Sequence, residues 1–503
     1  MPAGARPPLA LISLLVAVAL VVAAEAFSPA DTPDIQLQLG RLLYAEGRYS
    51  EARTAFQSAA DSPETRVRVP ARIGLVQSFL RIGDFLKART EAATLREEGD
   101  GDARALAVYG DAMWASGLFG DAEQAYRQSL ALVPDEPRGH NGVARILMAR
   151  GRFDEALGHS RQAVGLAPRE AEFHQTLGNV YERQGRYDVA AASVSTFINL
   201  LPKGIADTRA ALAGAELRFL TSFGSQAPYE FASSPEQIYT LPFRLDAEKI
   251  VIQGRVNGSH PIDFVVDTGA ELTTISRGTG ERQGVEAVTY TISAGVGEVG
   301  LRGLQLGRID KLEFGPLKVK RVPCILKSPA LRDIPVPEGE SLSPLAMGMS
   351  MTVDYARRVL TLARRLPDEG PADVTMDLWM TRLATVRGTV GDAHPRSFVV
   401  DTGGQVISIS TDTAQALPPV DRRKIALKVY GASGWDRDAY LLPGVDLAFN
   451  DIRFRKMSVV VLNLRAPSVL LGYELGGIIG HRFLSPYRVA IDLGRAELRL
   501  TKF

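Results

Sequence analysis

The sequence predicts a multidomain fold with α and β parts: an N-terminal α-solenoid followed by an all-β region of two lobes. Three observations predict this fold class. Glycines recur at intervals of 34 to 36 residues in the first half of the chain. Beyond Leu241 this period disappears, and short alternating runs bounded by Gly, Pro and Asn replace it. One strand-like phrase in this second half occurs twice, 134 residues apart, which indicates a duplicated lobe.

Residues 35–222 are predicted to form helical repeats with a final capping helix. Each of five glycines is followed two residues later by an aromatic residue and five residues later by alanine. Glycine permits a tight turn between two helices, and the small alanine lets the second helix pack closely on the first. One such unit cannot bury its own apolar face, so successive units are expected to stack. The three series are Gly47, Gly83, Gly117, Gly151 and Gly185; Tyr49, Phe85, Phe119, Phe153 and Tyr187; and Ala52, Ala88, Ala122, Ala156 and Ala190.

This periodicity resembles the tetratricopeptide repeat, and Pro134, Pro168 and Pro202 close three of the units. The resemblance implies that the array binds a peptide or protein partner. The alternative is that the array only spaces or stabilises the rest of the chain, and no basic or aromatic stripe separates these two roles. Residues 223–240 are predicted to be a linker, because Gly224–Pro235 is rich in Gly, Ser, Pro and Ala.

The β region is predicted to consist of lobe one, residues 241–364, a connector, residues 365–375, and lobe two, residues 376–503. The segments 264–276 and 398–410 match at 8 of 13 positions without a gap. The similarity therefore extends beyond the repeated phrase, and a duplication explains it better than two chance matches.

Each copy of the phrase is an apolar strand that ends in Asp-Thr-Gly. The glycine allows the backbone to turn sharply and approach its twin, and the threonine can hydrogen-bond across a pseudo-twofold axis. Two carboxylates on matching turns can come so close that both cannot ionise, so they hold one proton between them. Such a pair can activate a water molecule. The residues are Asp267, Thr268 and Gly269 in lobe one, and Asp401, Thr402 and Gly403 in lobe two.

These motifs resemble those of retroviral-type and pepsin-type aspartic peptidases, and the resemblance covers residues 241–503. It implies hydrolysis of peptide bonds by a water held between Asp267 and Asp401, a peptide or protein substrate, and no metal or organic cofactor. It also implies an apolar segment ending in glycine beneath each Asp-Thr-Gly loop. Gly477–Gly480 matches this expectation well, and Leu345–Gly348 matches it less well.

The same families cover the active-site cleft with β-hairpin flaps. In lobe one, the resemblance places a glycine-rich flap at Gly295 and Gly297. In lobe two, Val429–Trp435 resembles a pepsin-type flap, with Tyr430 and Gly431 as candidates for contacting substrate. The alternative for Tyr430 is ordinary packing within the hairpin.

Composition limits the partners and the location of the protein. A formal net charge of +1 gives no reason to expect nucleic acid. Arg6 precedes the apolar run Leu9–Ala24 and an A-x-A site, so residues 1–26 are predicted to be a signal peptide and the protein to be periplasmic or secreted. The alternative is an uncleaved membrane anchor, because the run of 16 residues is close to the length that spans a bilayer.

Two functional hypotheses follow from the sequence. The first is an exported aspartic endopeptidase, monomeric, with its active site formed within one chain and a repeat array that recruits a partner or the substrate. The second is a non-catalytic envelope adaptor that uses the repeats and a retained peptidase fold for binding. A further arrangement, in which lobes of two chains pair, also remains open. Cys324 is the only cysteine, so no disulfide forms within the chain.

Overall fold

The computed structural model describes most of the chain in two compact units. The units are Met1–Ala112 with Pro202–Ile205, and Met113–Leu201 with Ala206–Phe503. The predicted signal segment, residues 1–26, lies outside the described residues. In the described part, no helix is both long and apolar enough to cross a bilayer. The described residues are 32–203, 208–297, 301–327, 339–391, 393, 395–418, 423–431 and 434–503.

The N-terminal helices follow the predicted repeat. In every repeat, the second helix begins at the regularly spaced aromatic residue, and the five spaced alanines are completely buried. All five spaced glycines have a left-handed φ between 71° and 80°, which only glycine adopts without strain. The helices are α1 Pro33–Ala45, α2 Tyr49–Ala60, α3 Thr65–Ile82, α4 Phe85–Glu98, α5 Ala103–Ala115, α6 Phe119–Leu132, α7 Pro137–Ala149, α8 Phe153–Leu166, α9 Ala171–Arg183, α10 Tyr187–Leu200 and α11 Thr208–Thr221.

Small residues bring the repeat helices into close contact. In the first unit, the ring of Phe56 lies 2.5 Å from the position that a β-carbon would occupy at Gly40, and at the same distance from that at Gly74. In the second unit, the ring of Tyr126 lies 2.2 Å from the corresponding position at Gly142. An alanine at any of these glycines would displace a buried ring, so tight helix packing depends on them.

In the part of the C-terminal region that the structure describes, the strands are accompanied by four short α-helices and a 3-10 helix, Leu345–Met347. The strands of lobe one are β1 Glu230–Phe231, β2 Ile238–Pro242, β3 Arg244–Asp246, β4 Lys249–Val256, β5 Ile262–Val266, β6 Thr273–Ser276, β7 Glu286–Ala294, β8 Leu301–Phe314, β9 Leu317–Lys327, β10 Glu340–Leu342, β11 Ser350–Asp354 and β12 Val359–Ala363. Those of lobe two are β13 Val374–Asp377, β14 Trp379–Met380, β15 Ala384–Val390, β16 Arg396–Val400, β17 Ser408–Ser410, β18 Ile425–Ala426, β19 Val429–Gly431, β20 Gly434–Asp436, β21 Tyr440–Phe449, β22 Ile452–Leu462, β23 Leu475–Ile479, β24 Tyr487–Asp492 and β25 Glu497–Lys502. The short helices are α12 Arg277–Arg282, α13 Thr411–Gln415, α14 Arg465–Leu471 and α15 His481–Leu484.

The two lobes repeat one topology. In lobe one, β5 pairs with β10 in parallel, β10 with β6 antiparallel, and β6 with β9 in parallel. In lobe two, β16, β23, β17 and β22 follow the same path with the same directions. In each lobe, the strand that ends in Asp-Thr-Gly therefore lies inside a sheet, with neighbours on both sides that hold its end in place.

The duplication extends to side chains in the two cores. In lobe one, the rings of Phe264 and Phe314 meet edge to face with centroids 5.0 Å apart. Gly254 leaves space for this pair, since a β-carbon there would lie 2.3 Å from Phe314. The corresponding residues of lobe two are Phe398, Phe449 and Gly388, with the ring centroids 4.9 Å apart.

A six-stranded sheet joins the lobes. Its order is β13, β25, β24, β11, β12, β2, with three strands from each lobe. The two lobes meet where Val353 of β11 pairs with Val489 of β24. This sheet and the two lobe sheets enclose one continuous apolar core. The position of one lobe relative to the other is therefore set by backbone hydrogen bonds as well as by packing.

The segment predicted as a linker differs from the expectation. Within residues 223–240, β1 pairs with β9, and β2 begins at Ile238 and pairs with β12. Composition indicated a linker because Gly, Ser and Pro are frequent there. The pairing is made with strands about 90 and 120 residues later, and such distant partners leave no local signal in the sequence.

Candidate active site

The two Asp-Thr-Gly loops meet at the pseudo-twofold axis. Each aspartate directly follows a strand, and its backbone N–H donates to the strand alongside. Asp267 N donates to Leu342 O at 2.9 Å, and Asp401 N donates to Ile479 O at 3.0 Å. The same bond therefore fixes the start of both loops.

The two threonines lock the loops together through four reciprocal hydrogen bonds. The Thr268 hydroxyl donates to Val400 O at 2.6 Å, and the Thr402 hydroxyl donates to Val266 O at 2.7 Å. Each hydroxyl oxygen also accepts from the backbone N–H of the other threonine, at 3.2 and 3.0 Å. Both side chains are buried, so losing a hydroxyl would leave buried partners unsatisfied, at a cost of about 1–3 kcal/mol each.

Each glycine of the motif lies against the carboxylate of the opposite lobe. A β-carbon at Gly269 would lie 2.6 Å from Asp401 Cγ, and one at Gly403 would lie 2.7 Å from Asp267 Cγ. Any larger residue would push the opposite carboxylate away. The structure thus brings Asp267 and Asp401 together, and each aspartate lies against the glycine of the opposite loop.

Backbone amides orient the carboxylates. Asp267 Oδ1 accepts from Gly269 N at 3.0 Å. Asp401 Oδ1 accepts from Gly403 N at 2.8 Å and from Gly404 N at 3.0 Å. Gly404 suits this second bond, because a β-carbon there would lie 2.7 Å from Asp401 Oδ2.

The protonation of the pair is shifted toward the neutral form. Burial, together with the charge of Asp267, raises the pKa of Asp401 to about 7. Burial also raises the pKa of Asp267, but the charges of Lys327 and Lys249 oppose this rise. The hydrogen bond between the two carboxyl groups lowers the pKa of Asp267 and raises the pKa of Asp401. The proton of a singly protonated pair is thus favoured on Asp401, although titration belongs to the pair as a whole.

Comparison with known protein families finds a match in each half of the chain. Residues 252–351 and 386–480 match the family described as aspartyl protease. These two segments of the C-terminal half are similar to an aspartyl protease domain. Residues 17–65, 73–137 and 143–199 match the family described as tetratricopeptide repeat. A search of curated proteins finds no match to the chain.

Two solved structures similar to this chain are described as tetratricopeptide repeat proteins. A thermophilic repeat protein from Thermus thermophilus is 23% identical, with 34% of this chain and 93% of that chain covered and a TM-score of 0.30. A repeat protein from Parabacteroides merdae is 17% identical, with 42% of this chain and 80% of that chain covered and a TM-score of 0.30.

Segments beneath the two loops of the protease domain hold them from below. His481 N donates to Gly404 O at 2.8 Å, directly after the predicted segment Gly477–Gly480. In lobe one, the Ser343 hydroxyl donates to Ala270 O at 2.7 Å, just before Leu345–Gly348. Both predicted supporting segments thus adjoin the loops, although lobe one uses a side chain where lobe two uses the backbone.

The two predicted flaps of the protease domain meet each other. A β-carbon at Gly431 would lie 2.4 Å from the carbonyl oxygen of Val296, the residue between Gly295 and Gly297. The ring of Tyr430 packs on Trp435 across the lobe-two hairpin, with centroids 5.5 Å apart. The hairpin-packing interpretation of Tyr430 therefore describes its contact, and a role in binding substrate stays a prediction.

Sequence reasoning missed two carboxylates that support lobe one. Glu340 is buried and accepts from Ser276 N at 2.5 Å and from the Ser276 hydroxyl at 3.0 Å. Glu271, four residues after Asp267, forms an ion pair with Arg382 of lobe two. Neither pair could be found from spacing, since the partners lie 64 and 111 residues apart.

The groups at the dyad suit direct activation of water. Two acids that are held by backbone amides and share a proton can bind and polarise a water on their own. Among the described residues, no three His, Cys, Asp or Glu side chains are grouped so as to hold a metal ion.

Proposed function

We propose that the chain is an aspartic endopeptidase whose catalytic residues are Asp267 and Asp401. The observation that carries this proposal is the contact of each motif glycine with the opposite aspartate, which forces the two carboxylates into one site. The family match supports a protease at a general level. The catalytic activity itself is the proposal.

The chemistry follows from the protonation of the pair. Asp267, favoured as the ionised member, accepts a proton from a water as the water oxygen attacks the peptide carbonyl carbon. Asp401, favoured as the protonated member, donates a hydrogen bond to the carbonyl oxygen, where negative charge develops. Collapse of the tetrahedral intermediate breaks the C–N bond, and a carboxyl group returns a proton to the leaving amine. The singly protonated pair is regenerated at the end.

The proposal also covers the location of the protein and the role of the repeats. We place the protein outside the cytoplasm, on the evidence of the apolar run Leu9–Ala24 and the A-x-A site after it. The tetratricopeptide repeats are proposed to bind a protein partner or the substrate. A mature N-terminus other than one near residue 27, determined on protein from the native host, would remove the signal-peptide proposal.

The test is proteolysis of a peptide library by the full chain. Wild type and Asp401→Asn are compared at several pH values below neutrality, and products are sequenced by mass spectrometry. The proposal expects new termini that appear only with wild type, and a thermal shift with a statine-type inhibitor that disappears in Asp401→Asn. Equal product patterns for wild type and Asp401→Asn would contradict the peptidase proposal and leave the adaptor hypothesis.

A further inference from the structure

The repeats of the second unit make specific contacts with lobe two, and these begin at the turn of the third repeat. A β-carbon at Gly117 would lie 2.8 Å from Ser397 Cβ and 3.0 Å from Glu474 O. Glu474 N donates to Ala115 O at 2.8 Å. The turn of this repeat therefore lies directly on the strands of the protease domain, at a distance that only glycine permits.

The same face of the repeats holds the hairpin that joins β14 and β15. We call Trp379–Arg382 the docking hairpin. Trp379 contacts two repeats: the ring of Phe119 lies 5.5 Å away, and the guanidinium of Arg150 lies 3.6 Å above its ring. Arg150 also pairs with Asp377 at 3.1 Å, just before the hairpin. A cation stacked on a shielded indole contributes about 1–2 kcal/mol.

A third repeat contacts the tip of the docking hairpin. Arg183 Nη1 donates to Thr381 O at 3.4 Å. The Thr381 hydroxyl donates to Tyr473 Oη at 3.0 Å, and the Tyr473 ring packs on Phe119 with centroids 5.2 Å apart. Residues from three successive repeats thus contact lobe two, and the fourth and fifth repeats do so through Arg150 and Arg183.

The docking hairpin also contacts the Asp-Thr-Gly loop of lobe one. Its last residue, Arg382, pairs with Glu271, which belongs to the loop that starts at Asp267. Arg382 also interacts electrostatically with Glu182 of α9 and Glu216 of α11. The guanidinium that pairs with the lobe-one loop is therefore also influenced by charges on two helices that precede the β region.

We propose that the third to fifth repeats position the Asp267 loop through the docking hairpin, so that the geometry of the active site depends on these repeats. This inference rests on the proposed peptidase function. It makes Arg150 and Arg183 positioning residues, since neither belongs to the dyad. A partner that moved these repeats would then change catalysis without touching the cleft.

The experiment compares two double variants of the full chain. Arg150→Gln/Arg183→Gln removes the two arginine contacts with the docking hairpin and leaves the contact between Phe119 and Trp379. Arg152→Gln/Arg186→Gln is the matched control: these arginines lie in the same two turns but contact their own repeats, through Glu155 and Tyr181. For a short peptide substrate, the first variant is expected to lose roughly 10- to 100-fold in kcat with KM almost unchanged, as a misplaced catalytic group does. The control is expected to keep both constants.

Hydrogen–deuterium exchange supplies a readout that does not need activity. The proposal expects faster exchange in the peptide that covers residues 267–276 of the Arg150→Gln/Arg183→Gln variant, and unchanged exchange in β24 and β25. Arg150→Lys, which keeps the charge facing Asp377 but loses the planar stacking, should give a smaller effect of the same kind.

The outcomes separate the two proposals. Unchanged kcat and unchanged exchange in the Asp267 loop overturn the positioning role while a silent Asp401→Asn still supports the peptidase. Uniformly faster exchange throughout the protease domain also overturns it, because the contacts would then only stabilise the fold. If wild type cleaves no peptide but the Arg150→Gln/Arg183→Gln variant still exchanges faster in the Asp267 loop, the positioning role is supported and the peptidase proposal is wrong.

Discussion

At the scale of single residues, the two aspartates share one arrangement but differ in their electrostatic surroundings. Both are held by the amides of their own loops, and both face the other's glycine. Positive charges from Lys327 and Lys249 act on Asp267, whereas the charge of Asp267 acts on Asp401. These surroundings favour ionisation of Asp267 and protonation of Asp401 when the pair holds one proton.

This asymmetry predicts a pH effect of Lys327→Gln. Activity needs one proton on the dyad, so it falls at low pH, where both acids are protonated, and at high pH, where both are ionised. Lys327 favours the ionised form of Asp267, and removing its charge should raise the pKa of that group. The acid limb of the kcat/KM profile should therefore move to higher pH.

Lys318→Gln is the matched control for this prediction. Lys318 lies on the same strand, is exposed, and faces Glu313 at 3.9 Å. Its removal is expected to leave both limbs in place. An acid limb that moves to lower pH in Lys327→Gln, or by the same amount in both variants, would show that Lys327 does not set the ionisation of Asp267.

At the scale of elements, the periodic parts of the fold were predictable and the paired parts were not. Gly, aromatic and Ala positions repeat along the helices because each unit has the same local packing problem to solve. The duplicated phrase likewise marked both strands that lead to the Asp-Thr-Gly loops. Strands β1 and β2, the Glu271–Arg382 pair and the docking hairpin depend on partners far away in sequence, which no local pattern encodes.

The capping helix α11 is a second element whose contacts the sequence did not predict. It packs on β7, the strand that leads to the flap residues Gly295 and Gly297. Arg218 of this helix donates to the Thr289 hydroxyl at 3.0 Å, and Arg308 donates to Ser222 O, just after the helix, at 3.2 Å. The base of the lobe-one flap is thereby attached to the end of the repeat array.

Thr289→Val tests this attachment. The substitution keeps the shape of the side chain and removes the acceptor of Arg218. We expect faster amide exchange in β7 and a higher KM for a peptide substrate, with kcat less affected, because the flap and not the dyad is loosened. Thr291→Val on the same strand serves as the control. Equal exchange of β7 in wild type and Thr289→Val would contradict the coupling between α11 and the flap.

At the scale of the whole molecule, one chain supplies everything that the proposed site needs. The six-stranded sheet places three strands of each lobe side by side. The threonine hydrogen bonds link the two Asp-Thr-Gly loops at the pseudo-twofold axis. Monomeric function follows as a prediction from this arrangement. The second compact unit contains the repeats that touch lobe two, so recruitment and catalysis are proposed to be physically connected there.

The central claim is that Asp267 and Asp401 of the same chain act on one water. The most direct measurement is the rate of cleavage of an unstructured protein by Asp267→Asn, by Asp401→Asn, and by an equimolar mixture of the two. We predict that each variant alone loses about 10³-fold or more, because the two acids work as a unit, and that the mixture stays inactive. A single variant that cleaves at the wild-type rate, or a mixture that regains activity by pairing lobes of different chains, would contradict the account.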